Sequence, residues 1–223
     1  MGTMIQLSAA DGHKFAAYRA EPNGKPRGAL VVVQEIFGVN KHIKELADGF
    51  AADGYLSIAP AFFERKERGF DHGYTEADIA AGRTIAMALN WDDTMRDLAV
   101  AIDNVKGAGK VGIIGYCWGG TVCWVASARA NGLACSIPFY GGGITNMSSE
   151  KPKVPVQMHW GHNDHAIPLE GVWKLEKEHP SAQSFVYADA GHGFTCDHRG
   201  SYHEPSKILS RTRAIEFLHK HVG

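Results

Sequence analysis

Residues 111–120 constrain this chain more than any other stretch. Val111-Gly112-Ile113-Ile114 is a short apolar run, and Gly115-Tyr116-Cys117-Trp118-Gly119-Gly120 follows it directly. Thr121–Ala130 then reads as a helix. A buried strand turning sharply through glycines into a helix is the setting of a nucleophile elbow, usually written G-x-S-x-G. Side chains two residues before and after the nucleophile would clash where strand and helix pass closely, so glycine at 115 and 119 fits. Cys117 stands where the motif has serine, and the helix N-terminus beyond it favours a thiolate. On these residues alone, a small apolar cysteine in a packed turn fits as well as a nucleophile.

The rest of the chain supplies the matching architecture. Ala29–Gln34 is a continuous apolar run, the pattern of a strand buried on both faces. Lys14–Ala20 alternates and pairs with Met4–Leu7 as an edge hairpin. Further strands are expected at Tyr55–Ala59, Lys110–Ile114, Ala134–Tyr140, Val154–Trp160 and Gln183–Tyr187. Helices are expected at Lys41–Ala52, Thr75–Asn90, Trp91–Lys106, Pro168–His179 and Glu204–His221. Strands alternating with helices predict an α/β fold, a mostly parallel central sheet with helices on both faces. No linker or repeat divides residues 1–223, which read as a single domain. Ligands in such folds sit at the carboxyl ends of the strands.

Composition narrows the function. The net charge is −1, with 21% charged residues mixed along the chain, so nothing favours nucleic acid or an anionic membrane. No apolar stretch approaches the ~20 residues that span a bilayer. Met1-Gly2-Thr3-Met4 lacks the features of a signal peptide; a scar from expression is an alternative reading. Cys117, Cys123, Cys135 and Cys196 form no C-x-x-C pair, which reads as reduced thiols in the cytoplasm.

Partners for Cys117 occur at later strand ends, in the chain order nucleophile, acid, histidine of an α/β-hydrolase fold. Gly161-His162-Asn163-Asp164 follows one expected strand, and Asp189-Ala190-Gly191-His192-Gly193-Phe194 follows another. Asp164 alone could belong to a helix cap, and His192 is one of twelve histidines. Their joint match in order and topology favours catalysis. Glu35, in Gln34-Glu35-Ile36-Phe37-Gly38, ends the buried strand and is expected to be partly desolvated. A histidine-based metal site fails on spacing, because His159, His162 and His165 straddle a strand end. A non-catalytic small-ligand-binding member of the same fold is the alternative, although a pure binder has no physical need for the Cys/Asp/His set.

With these residues assembled, the chain resembles the dienelactone hydrolase (carboxymethylenebutenolidase) family along nearly its whole length. The resemblance implies a cysteine hydrolase of small lactones and esters, acting through a thioester on an α/β-hydrolase fold without a lid domain. It implies that Glu35 contacts the resting thiol and helps generate the thiolate. It also implies an oxyanion hole from the Ile36 and Trp118 amides, with no metal or organic cofactor. The family holds its substrate carboxylate with two arginines. Cys196 stands at one of those positions, Arg83 matches the other approximately, and Arg199 is a substitute from nearby. Weaker dependence on a substrate carboxylate is therefore expected. Phe37, Trp118 and Tyr140 are candidates to line the pocket, whereas Trp160 reads as core. A small-molecule substrate and a monomer are expected.

Overall fold

The computed structural model describes all residues 1–223. Its strands are β1 (Thr3–Ser8), β2 (Lys14–Ala20), β3 (Gly28–Val33), β4 (Tyr55–Pro60), β5 (Val111–Tyr116), β6 (Leu133–Phe139), β7 (Gln157–Gly161) and β8 (Gln183–Tyr187). They form one eight-stranded sheet in the order β1-β2-β4-β3-β5-β6-β7-β8. The β1–β2 and β2–β4 pairs are antiparallel and all the others parallel. The sheet is thus mostly parallel, with the expected hairpin at one edge.

The helices are α1 (Lys41–Ala52), α2 (Glu76–Ala88), α3 (Trp91–Val105), α4 (Trp118–Arg129), α5 (Leu169–Glu178) and α6 (Glu204–His221). All six residues of β3 are buried, and they alternate between two cores. Leu30 and Val32 pack with Ile43 and Phe50 of α1 and with Phe217 and Leu218 of α6. Ala29, Val31 and Val33 pack with Leu98, Ile102 and Val105 of α3 and with Val122 and Cys123 of α4. Each fully buried Val, Leu or Phe contributes roughly 1.5–3 kcal/mol, so a strand with no polar face is fixed in the sheet's centre. No helix is long and apolar enough to cross a membrane.

Two of the boundaries that differ from the sequence reading have a clear cause or consequence. The strand expected over 154–160 begins only at Gln157, because Pro155 has no N–H to give a ladder; its carbonyl instead accepts from Ser136 N at 3.0 Å. β5 runs on to Tyr116, which delivers the chain straight into the turn at Cys117. The helix expected over 75–90 is α2, with Thr75 as its N-cap: Thr75 Oγ1 accepts from Asp78 N, and Asp78 accepts in return from Thr75 N.

Candidate functional site

Four loops at the carboxyl ends of β3, β5, β7 and β8 bring Glu35, Cys117, Asp164 and His192 to one end of the sheet. Cys117 caps α4 with φ 55° and ψ −116°, a conformation that costs a non-glycine residue about 1–3 kcal/mol. The surroundings enforce it. Cys117 N donates to Phe139 O at 3.0 Å, while Gly120 N and Thr121 N donate to Cys117 O. A Cβ at Gly119 would lie 2.5 Å from both Val33 O and Gln34 O, so α4 starts against β3 only because that residue is glycine.

His192 stands between Cys117 and Asp164. A carboxylate can only accept, so Nδ1–H of His192 donates to Asp164 Oδ2 at 2.7 Å. Nε2 is left facing Cys117 Sγ at 3.1 Å. Asp164 is buried, and its Oδ1 accepts from Ala166 N at 2.9 Å, which fixes the carboxylate's direction. Burial works to keep the His192 ring neutral. The interactions with Cys117 and the hydrogen bond to Asp164 outweigh it and push the ring up to about 10. The ring therefore holds its proton at neutral pH. Asp189, on the histidine's own loop, is exposed.

The residues whose amides are expected to bind an oxyanion, Ile36 and Trp118, line the same cleft as Cys117. Trp118 N is the first of α4 and has no intrahelical acceptor. Ile36 N, in the loop after β3, donates to no carbonyl or side chain. Between them opens a cleft of about 530 Å³, lined by Cys117 and His192, by Ile36 and Phe37, and by Thr121, Asn146, Met147 and Arg199. Its far wall is α2, which presents Ile79, Arg83, Ala86 and Met87, and Trp91 follows at the start of α3. Trp118 also faces the cleft and is wedged edge-on against Phe62 and Phe63.

Other sequence expectations are placed differently. Glu35 is more buried than expected, only 1% exposed, and its Oε1 accepts from Arg199 Nη1 at 3.1 Å. It makes no hydrogen bond to Cys117. A carboxylate so deep needs a cation, and the guanidinium supplies it at lower cost than a thiol could. Tyr140 does not line the cleft. It is fully buried, its hydroxyl 2.6 Å from Thr195 Oγ1, because its φ of 35° turns the side chain into the core. Phe37 lines the cleft and lies under Arg199, whose guanidinium carbon is 5.4 Å from the ring centroid. Cys196 is buried and donates to Tyr74 Oη at 3.2 Å, away from the cleft. The positive charge comes instead from Arg199, three residues on. Trp160 is core, as expected.

Apart from Arg83, which the resemblance offered, the cleft wall formed by α2, Met147 and Asn146 escaped the sequence reading. Its one signal was the stripe of Ile79, Arg83 and Met87 four residues apart, which resembles an ordinary surface helix. The three histidines considered for metal do not converge. His159 is buried between Tyr187 Oη and Gln157 Oε1, while His162 and His165 are exposed. Glu35, His42 and Cys196 do bring ligating atoms within 4.8 Å of one another. Arg199 already pairs Glu35 there, and its charge opposes a cation.

Comparison with known proteins places the chain in a family. Residues 15–222 match the dienelactone hydrolase family. A Synechocystis sp. protein assigned as a carboxymethylenebutenolidase is 32% identical over 210 residues, 85% of each chain. A carboxymethylenebutenolidase of Pseudomonas putida is 27% identical, covering 96% of this chain and 94% of its own. In fold, the crystal structure of a protein assigned as a dienelactone hydrolase, from Klebsiella pneumoniae, matches with a TM-score of 0.86. It does so at 24% identity, over 99% of this chain and 100% of that one. The chain belongs to the dienelactone hydrolase family and is a hydrolase of the carboxylic ester and lactone class.

Proposed function

We propose that the chain, acting as one domain over residues 1–223, hydrolyses small lactones and carboxylic esters by covalent catalysis at Cys117. The observation that carries this reading is the hydrogen-bonded line from Cys117 Sγ to His192 at 3.1 Å and on to Asp164 at 2.7 Å, at the floor of a cleft. Cys117 attacks the carbonyl carbon as thiolate, and the electron pair of the C=O bond moves to oxygen. The Ile36 and Trp118 amides receive that oxyanion. Collapse expels the alkoxide, which takes the proton held by His192 and leaves a thioester on Cys117. Water then attacks the thioester, giving its proton to the now neutral His192. The carboxylic acid departs, and the thiolate–imidazolium pair is restored. Asp164 holds His192 in the tautomer that both steps require.

For Glu35 the reading departs from the resemblance. Its pairing with Arg199 supports an indirect influence on the thiol, through the position and charge of the guanidinium. Arg83 makes no ion pair and lies at the exposed edge of the cleft, whereas Arg199 is already compensated by Glu35. One free cation above an apolar wall suits substrates with an apolar group and at most one distal carboxylate. The test is a panel of lactones and aryl esters, dienelactone included, against the wild type, Cys117→Ala and Arg83→Ala. Turnover should vanish in Cys117→Ala. Neutral aryl esters should have kcat/KM within a hundredfold of dienelactone, about 3 kcal/mol of differential binding. A larger lead for dienelactone, erased by Arg83→Ala, would overturn the substrate reading; full activity in Cys117→Ala would overturn the mechanism.

A further inference from the structure

Behind the thiol lie buried groups that the steps above leave unused. Glu35 gives Oε1 to Arg199, but its Oε2 has neither solvent nor a hydrogen-bond partner. His42, near the start of α1, is 2% exposed, and its Nε2 is likewise buried and unpartnered. A ligating atom of each, together with one from Cys196, falls within a 4.8 Å radius of the others. An orphaned polar atom in a protein interior keeps its full desolvation penalty with no hydrogen bond to offset it. Here the two orphans are complementary, since a carboxylate accepts and a neutral imidazole has one N–H to donate. A separation of up to 4.8 Å is also the span of a single bridging water.

We propose that His42 is a positioning residue for Glu35: its Nε2–H serves Glu35 Oε2, directly or through one water, so that Arg199 and His42 grip the two carboxylate oxygens and set where that charge stands relative to Cys117. The inference rests on the reading of Cys117 as the nucleophile only for its catalytic consequence. Other groups around the pair allow this assignment. On its outer side His42 faces Glu45 and Asp197, with His198 and Lys207 nearby, and its ring meets the edge of Tyr116. Burial lowers the imidazole from its ordinary value, so the ring is neutral at neutral pH and offers one donor. On its own side Glu35 meets Arg199 and Cys196, and its charge also reaches Tyr74, Tyr116 and Tyr140. Of these the thiol and phenols stay protonated, because burial pushes each of them up. Arg199 is the only cation on the carboxylate.

The proposal is tested by the pH dependence of Cys117 alkylation, followed by mass spectrometry of the Cys117 peptide. His42→Phe and His42→Gln are compared in the wild-type and Glu35→Gln backgrounds. His42→Phe should move the alkylation midpoint by about half a pH unit, a threefold change in thiolate population at fixed pH. His42→Gln, which keeps a side-chain N–H, should stay on the wild-type curve. The His42→Phe shift should vanish when Glu35 is already Gln. Superimposable curves for wild type and His42→Phe, or a shift that survives Glu35→Gln, would overturn the proposal. Should His42→Phe fail to fold, long-range ¹H–¹⁵N spectra of the wild type decide it: the Nε2–H tautomer of His42 supports the proposal and the Nδ1–H tautomer contradicts it. Turnover by Cys117→Ala is read separately, so failure of the nucleophile assignment is distinguishable from failure of the Glu35–His42 coupling.

Discussion

Replacing Gly82 with alanine should damage catalysis far more than it damages the fold. Gly82 is a buried position of α2, in ordinary helical conformation, where alanine normally adds about 1 kcal/mol of helix stability. Here a Cβ would lie 2.0 Å from Ile36 O and 3.0 Å from Ile36 C, both backbone atoms that cannot rotate away. Ordinary contact begins at 3.4 Å, so helix and loop must separate by about 1.4 Å. Overpacking of this kind costs roughly 1–3 kcal/mol, which cancels or slightly exceeds the helix gain. The displaced loop is the one carrying the Ile36 amide. Misplacing a reacting group by about 1 Å, or losing one oxyanion donor, costs on the order of a hundredfold in rate. Gly82→Ala should therefore melt within a few degrees of the wild type while kcat for an aryl ester falls about a hundredfold. A variant that melts higher and turns over within twofold of the wild type would refute the seating of α2 on this loop.

Three further outcomes follow from the geometry. Asp164→Asn should lose about 10⁴ in kcat, as triads do when the histidine tautomer is wrong, while Asp189→Asn stays near wild type; the reverse pattern would mean that the acid is misassigned. Iodoacetamide should label Cys117 ahead of the three buried thiols, because burial pushes Cys135 up to about 12, Cys196 up to about 11 and Cys123 up as well; equal labelling of Cys196 would contradict its burial. His159 is lowered by burial from 6.5 to about 3 in the fold, so below pH 6.5 the unfolded chain binds the proton first. Stability should fall from pH 6.5 toward 3 by up to about 1.4 kcal/mol per pH unit from this group. His159→Gln should flatten that acid limb in denaturant titrations, and an unchanged slope would remove His159 from the account.

Local pattern carried much of this architecture. β3 was legible because an unbroken apolar run has one home in an α/β sheet, the doubly covered centre, and glycines 115 and 119 marked the turn because nothing larger clears the backbone there. The gathering of Cys117, Asp164 and His192 was legible because parallel topology brings every strand's carboxyl end to one side. What escaped depends on contacts between distant segments. Nothing in the residues around Tyr140 reveals that a φ of 35° turns its ring into the core. The Glu35–Arg199 pair joins residues 164 positions apart, and no spacing rule reaches that far. On the α2 wall of the cleft only Arg83 was marked, by the resemblance; Ile79, Ala86 and Met87 were hidden because they have the spacing of any amphipathic surface helix. Asp97 of α3 is likewise buried and paired with Arg65 at 2.7 Å, a contact between segments 32 positions apart.

The central claim, that Cys117 carries the acyl group, is most directly tested by intact-mass spectrometry of the protein quenched with acid milliseconds after mixing with an activated aryl ester. The expected result is a species heavier by one acyl group, mapped to the Cys117 peptide, that forms in a burst and decays at the steady-state rate, and that is missing in Cys117→Ala, which should also be inactive. Steady turnover by Cys117→Ala, or an acyl group mapped to any other residue, would contradict it.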